Sequence, residues 1–360
     1  MTTETAAEGG APGGASHGFP ANTRLLIGAC GGVFLAGVLL AGFAAQEKEG
    51  PKAGPKEEGA TKFLRFVDLG GGEGQLESAI ATYGRKDGVE VDLLSAVHVA
   101  DAGYYATLQK RSEHYDCLLY EMIKPRDADP SPGEKSDNLL SAFQRGLKNI
   151  LGLEFQLDAL DYRKKNFVHA DLDPDTFFRL QREKGESVLS LLWKAMRKEM
   201  ELEASGKGPR SVGLLEILIA FGSEDSARAL KMLLARQVEG MELIMAGFEE
   251  GKEDSGSVIV SERNKVVMKT VKKVLGEGKR RIGILYGGGH MPDLEKRLMG
   301  ELGLEKRRTE WITAWDIRRK GKAAGLNQEG EKQGDRAPVK EPAGETEKNT
   351  ESGQPRERQF

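Results

Sequence analysis

The sequence predicts a mixed α/β (α+β) fold in which two β-GxxH-α-β-type units form a central sheet with a large helical insertion between them. Three observations predict it. Short runs rich in Val, Leu and Ile over residues 62–100, broken by glycine turns, read as strands. From about 138 to 250 the apolar residues recur instead at steps of three or four, the helical period. Residues 258–317 return to a strand, helix, strand order, which closes the sheet.

The elements follow in order. Residues 1–24 are rich in Gly, Ala, Thr and Pro without periodicity and read as a disordered lead. Residues 25–45 (LLIGACGGVFLAGVLLAGFAA) carry no charge and match the roughly 20 apolar residues that a bilayer crossing needs. We read them as a retained single-pass anchor. A signal segment is the alternative, because Gly42 and Ala44 offer a small-x-small cleavage pattern. Arg24 alone is basic upstream, whereas Lys48, Lys52, Lys56, Lys62 and Arg65 follow, and that count places the main domain in the cytoplasm. The signal-like reading places it outside, and the extracytoplasmic side is the expectation kept. Residues 46–60 are a charged Pro/Gly linker, 61–317 the folded domain, and 318–360 a polar tail too poor in apolar residues to fold alone.

Within 61–317, strands are predicted at Lys62–Leu69, Gln75–Tyr83 and Val89–Val99, an antiparallel meander turning at Gly70–Gly74 and Lys86–Gly88. A helix at Tyr104–His114 and a buried strand at Cys117–Ile123 follow. The helical insertion, about 138–250, contains Leu189, Leu192, Met196 and Met200, then Leu230, Leu234, Val238, Met241 and Met245 at helical spacing, with the methionines as core filling. Val212–Phe221 is apolar but too short to span a membrane. The last third reads as a short strand at Val258–Val260, a helix at Arg263–Leu275 with a basic outer face and a strand at Arg281–Tyr286. A turn at Gly287–His290, a helix at Pro292–Leu302 and a strand at Glu310–Ile317 complete it.

Composition excludes several functions. The chain has 360 residues, 53 Lys+Arg against 56 Asp+Glu, a net charge of −3 and a mean hydropathy of −0.46. No basic excess exists to hold nucleic acid over the whole surface. The mean hydropathy excludes a polytopic membrane protein. Two cysteines, Cys30 and Cys117, make neither a disulfide framework nor a four-thiolate zinc site.

The informative feature is a pair of similar units. One runs strand, Ser95-Ala96-Val97-His98, helix, strand ending at Glu121; the other runs strand, Gly287-Gly288-Gly289-His290, helix, strand ending near Asp316. Each histidine sits just past a strand, where the loops of an α/β sheet gather a site. Two such units facing each other would bring His98, His290 and Glu121 together. Imidazole nitrogen and carboxylate oxygen are ordinary ligands for Zn²⁺, Mn²⁺ or Co²⁺ and leave room for water, which such an ion activates toward a carbonyl. Against this stands turn chemistry, each histidine bonding its own backbone.

The runs AVHVADAGYYATLQKRSEHYDCLLYEM and SERNKVVMKTVKKVLGEGKRRIGILYGGGHM resemble the TraB/GumN/TIKI family, which is marked by two GxxH motifs, a glutamate after the first and an arginine before the second. The resemblance covers about residues 89–123 and 258–317, and the first motif has Ser95 where glycine is usual. It implies an EreA/ChaN-like fold with paired repeats, and site positions at His98, Glu121, Arg263 and His290. It also implies a divalent metal (Mn, Co or Zn) with a peptide or protein substrate, since TIKI members are membrane-anchored, metal-dependent proteases.

Arg263 at a helix start opposes the macrodipole, which points to a specific partner. Its guanidinium suits a substrate carboxylate or oxyanion, or a salt bridge to Glu121 or Glu262. Asn264 adds an amide contact. Glu121, ending a buried strand, serves as ligand or general base. The expected function is a membrane-anchored metal-dependent hydrolase, a peptidase, with His98, His290 and Glu121 as metal ligands and Glu121 and Arg263 as catalytic residues. The alternatives are a protein that sequesters a peptide or a haem-like ligand in the same cleft, and a structural membrane protein.

Several lookalikes fail. Gly14-Ala15-Ser16-His17-Gly18 fits a hydrolase elbow in letters only, with no strand or helix to strain the turn. The acidic stretch from His169 to Asp175 lacks the glycine and glutamate of a calcium loop, at Thr176 and Arg182. Asp173-Pro174 reads as a helix start there, and His169 is left to line the cleft. Gly287–Gly289 lacks the spacing of either nucleotide fingerprint. Tyr162-Arg163-Lys164-Lys165 reads as a solvated basic face, and His114 as surface.

Overall fold

The computed structural model describes residues 63–125, 148, 150–187, isolated positions from 190 to 204, 214–246 (238–246 as backbone) and 257–319. The anchor, the linker, Leu189, Leu192, Met196, the side chains of Val238, Met241 and Met245, and nearly all of the polar tail lie outside this set. No helix among the described residues is long and apolar enough to cross a membrane.

The fold is mixed α/β around one seven-stranded sheet of parallel and antiparallel strands. Strands β1 (Leu64–Gly70), β2 (Glu73–Gly84) and β3 (Glu90–Ala96) form the expected antiparallel meander. Its first turn uses Gly70, Gly71 and Gly72 at positive φ, a backbone that L side chains avoid. Next come β4 (Val99–Ala100), α1 (Ala102–Ser112) and β5 (Cys117–Tyr120), then β6 (Glu154–Phe155), α2 (Gln156–Ala159), β7 (Phe167–His169) and α3 (Pro174–Glu183). Helices α4 (Leu214–Phe221), α5 (Ser226–Ala246) and α6 (Arg263–Gly276) lead to β8 (Arg281–Gly287), α7 (Met291–Leu302) and β9 (Glu305–Asp316).

Register explains how the sheet closes. β1 pairs with the first half of β2 and β3 with the second half, while β9 pairs antiparallel along β2 from Gln75 to Gly84. From β3 onward the order is β3-β8-β5-β7, all parallel. The two motif strands are thus hydrogen-bonded neighbours rather than facing halves. Burial on both faces accounts for the unbroken apolar runs of β5 (CLLY) and β8 (RIGILYG). Tyr104, Tyr105, Leu108, Leu230 and Leu234 cover one face; Val267, Val271, Leu294 and Leu298 cover the other.

Three expectations need correction. Val258–Glu262 is a single π-helical turn, not a strand; Ser257 caps it by accepting the Val260 N–H, and the turn runs straight into α6. Phe167–His169, inside the stretch read as helical, is a strand pairing in parallel with β5. A three-residue strand is too short to show a period. Tyr162 is buried, not part of a solvated face; its ring lies 5.1 Å from that of Tyr120. The helix start at Asp173 does occur, with Asp173 Oδ1 accepting the Thr176 N–H at 2.9 Å and Pro174 following.

Gly283 in β8 lets this sheet pack. A Cβ there would meet Leu118 Cδ1 at 2.4 Å and Tyr115 Cδ2 at 2.8 Å. Overpacking costs about 1–3 kcal/mol, against roughly 0.4–1 kcal/mol gained from a stiffer unfolded chain. Gly283→Ala is therefore expected to destabilise by about 1–2 kcal/mol, read as a lower urea midpoint with unchanged m-value; an unchanged or higher midpoint would contradict this packing.

Candidate functional site

Four neighbouring parallel strands each deliver one chemical group at their C-terminal ends. β3 leads to His98, β8 to His290, β5 to Glu121 and β7 to Asp171. This edge is where open α/β sheets place ligands. Arg263 enters from above as the first residue of α6.

Arg263 is 2% exposed, and every nitrogen of its guanidinium is engaged. Nε donates to Asp171 Oδ1 at 2.8 Å, and Nη2 to Asp171 Oδ2 at 2.6 Å and to Glu121 Oε1 at 2.8 Å. Nη1 lies 3.3 Å from His290 Nε2 and 3.5 Å from the Ile259 carbonyl oxygen. The salt bridge to Glu121, weighed against a substrate contact, is present, whereas Glu262 pairs with Lys184 and Lys265. Burial works against the Arg263 charge, yet Asp171 and Glu121 hold its pKa well above the ordinary value. Burial likewise pushes the Glu121 carboxyl up, but the charges of Arg263, His290 and His98 and the Gly287 N–H outweigh it and hold the carboxyl well below the usual range. The Gly287 N–H reaches Glu121 Oε2 at 2.7 Å.

His290 is buried, and burial lowers its pKa to about 4 against the opposing pull of Glu121. Above that value the imidazole is neutral, and its tautomer is readable. Asn264 Nδ2 donates to Asp293 Oδ2 at 2.8 Å and to the His290 carbonyl at 3.1 Å, so its Oδ1 must accept. The group donating to that oxygen, at 2.8 Å, is His290 Nδ1–H. His290 Nε2 then carries a lone pair, 3.6 Å from Glu121 Oε1.

His98 is exposed at the rim, with Nδ1 3.0 Å from Gln156 Oε1. A Cβ on Gly287 would come within 3.0 Å of His98 Nε2 and 3.3 Å of Glu121 Oε2, so both atoms face the space this glycine leaves open. Two carboxylates against one guanidinium and a neutral His290 leave one negative charge in excess. In kind and charge the donors suit a cation. Among the described residues no group of three or more His, Cys, Asp or Glu side chains is placed to hold a metal ion. Arg263 stands against both His290 Nε2 and Glu121 Oε1.

The structure thus brings His98, Glu121, Arg263 and His290 together, with Asn264 behind His290. Asp316 does not join them; it pairs with Arg318. His169 borders the site but turns its Nε2 to the Met122 carbonyl oxygen at 2.6 Å. His114, in the turn after α1, is exposed. Asp171 and Gln156 escaped the sequence reading. The buried Arg263 demanded a partner of opposite charge, and the acidic stretch after His169 held it.

No protein-family model matches the chain, and no curated protein matches it.

Two outcomes follow from the buried charges. Asp171→Asn leaves Arg263 half-compensated and is expected to cost roughly 3–5 kcal/mol, seen as a large drop in urea midpoint; a loss below about 1 kcal/mol would place the pair in solvent. The second concerns pH. His290 titrates at 6.5 unfolded and about 4 folded, so between these values the unfolded chain binds a proton that the folded chain refuses. Stability is therefore full above 6.5 and falls as pH drops toward 4, by about 3 kcal/mol at most, with Glu121 adding a loss of the same sign at lower pH. Urea midpoints across this window check it, and His290→Asn should flatten the upper part of the slope.

Proposed function

We propose that this cluster is the reaction centre of a metal-assisted hydrolase acting on peptide or protein amide bonds, tethered to a membrane through residues 25–45, as the resemblance to the TraB/GumN/TIKI family implies. The observation that carries the reading is the convergence of His98 Nε2 and Glu121 Oε2 over Gly287, with the lone pair of His290 Nε2 3.6 Å from the same carboxylate. Imidazole nitrogen and carboxylate with a negative excess suit Mn²⁺, Co²⁺ or Zn²⁺ in kind, while the His290 lone pair faces Arg263 Nη1 at 3.3 Å. His98 and Glu121 would hold the ion with His290 beside them, and the ion would supply a water of lowered pKa and a polarised carbonyl.

The remaining roles belong to the chain itself. Arg263 keeps Glu121 ionised and anchored, acting through that carboxylate, since its own donors are engaged. Glu121 binds too few protons near neutrality to store one, so it orients and holds. His98, exposed at the rim, is the first of these groups that a substrate meets. The low proton affinity of Glu121 also favours a second reading, a cleft that sequesters a peptide or haem-like ligand without cleaving it.

The paired-unit reading of the fold belongs to the same proposal. β3, α1 and β5 around Ser95–His98, and β8, α7 and β9 around Gly287–His290, each run strand, motif, helix, strand. Their return strands differ, β5 joining β8 in parallel and β9 joining β2 antiparallel.

Metal content tests the function. The full chain in detergent, incubated with Mn²⁺, Co²⁺ or Zn²⁺ and passed through a desalting column, is expected to retain one of them. His98→Ala and Glu121→Gln should each weaken retention at least tenfold and abolish cleavage of a peptide library. Retention without cleavage moves the site to the binding reading, and no retention with intact folding removes the metal.

A further inference from the structure

The two histidines are held alike, but only one of them has its tautomer dictated by a carboxylate. For His290, Asp293 forces the amide of Asn264 to present its oxygen, and Arg297 Nε in turn donates to Asp293 Oδ2 at 2.6 Å. For His98 the corresponding group is Gln156, which is 4% exposed although it begins a four-residue helix. Gln156 grips His98 twice. Its backbone N–H donates to the His98 carbonyl oxygen at 2.9 Å, extending the β4–β6 pairing, and its Oε1 lies 3.0 Å from His98 Nδ1. The other end of the amide, Nε2, donates to Tyr162 OH at 3.0 Å. Tyr162 is itself fixed against Tyr120, the residue preceding Glu121.

A tyrosine hydroxyl both donates and accepts, so Tyr162 alone leaves the Gln156 amide free to flip. The placement of the two amide ends makes the choice, oxygen at His98 Nδ1 and nitrogen at the Tyr162 hydroxyl. His98 Nε2 makes no hydrogen bond among the described residues and points into the space over Gly287, beside the Glu121 carboxylate. A carbonyl oxygen at Nδ1 holds the ring proton there and leaves Nε2 as a lone pair. A flipped amide would instead put the proton on Nε2, closing the one nitrogen that faces the site.

We propose that Gln156 is a positioning residue that holds His98 in the Nδ1–H tautomer, as Asn264 does for His290, so that His98 Nε2 offers a lone pair over Gly287 against the pull of the neighbouring Glu121 carboxylate, which favours an N–H there. The pair of amides does the work that outer-shell partners do for metal-bound imidazoles, fixing ring orientation and which nitrogen is bare. It also gives the segment between β5 and β7 a part in the site, since α2 reaches His98 through the Gln156 side chain. The inference rests on His98 as a site residue, but the tautomer exists whether or not a metal binds.

Long-range ¹H–¹⁵N NMR of the full chain labelled at histidine, at mildly alkaline pH, reads the tautomer directly. The chain has five histidines, so single His→Gln variants assign the signals. Wild type is expected to show the Nδ1–H pattern at His98 and His290. Gln156→Leu, close in volume, is expected to move His98 to the Nε2–H form that free imidazole prefers, leave His290 unchanged, and weaken divalent-ion retention about 10–100-fold. Gln156→Glu, which still offers an oxygen, should restore the Nδ1–H signature. An Nε2–H pattern at His98 in the wild type overturns the proposal without any variant. So does an Nδ1–H pattern that survives Gln156→Leu. If the tautomers are as expected but no ion is retained by the wild type, Gln156 keeps its role and the metal-assisted reading fails.

Discussion

Arg263 and its two carboxylates hold the rest of the structure to account. An ion taken out of water costs several kcal/mol even after relaxation, and Coulomb attraction offsets this only when the geometry is good and the remaining donors are used. Here the donors are used, with Asp171 gripped at two oxygens and Glu121 at one. The network is satisfied only if β5, β7 and the start of α6 are in register at the same edge of the sheet. A shift of any of them would leave a buried charge without its partner. The π turn before α6 fits this demand, since its Ile259 carbonyl also faces Arg263 Nη1 and such turns often mark functional sites.

The same network separates the two histidines. His290 lies under α6 and α7, neutral and enclosed by Arg263, Asn264 and the Tyr286 ring 5.1 Å away. His98 stands at the rim with Nδ1 tied to Gln156 and Nε2 without a hydrogen bond among the described residues. Glu121 sits between them, carrying charge that Arg263 maintains. One imidazole is built into the protein's electrostatics, and the other stands at its exposed edge.

Residues whose signal is local were legible. His98 and His290 each follow a strand and a short motif, and the match between the two units marked them, while Glu121 follows the apolar run CLLY. Arg263 was legible as an anomaly, a cation at a helix start. Asp171 and Gln156 were not, because what defines them is a partner 92 and 58 residues away in the chain. Asp171 also lies among acidic neighbours that suggested a failed calcium loop. Strand β7 is too short for periodicity, and Tyr162 was masked by three basic neighbours. The first meander was legible since glycine turns bound each strand; the length of β9 was not, because Glu305–Thr309 (EKRRT) is charged and gains strand character only by lying along β2.

That last pairing joins Gln75 to Asp316 and runs the length of both strands. Contacts so distant in sequence form slowly, because the chain must close a long loop before they reward it. During synthesis, β2 emerges with one edge open and waits for nearly the whole domain to follow. Glu121 and Asp171 likewise wait for Arg263. While it is being made, the polypeptide therefore carries an unfinished sheet with an exposed edge, a form prone to aggregate and one that chaperones shield.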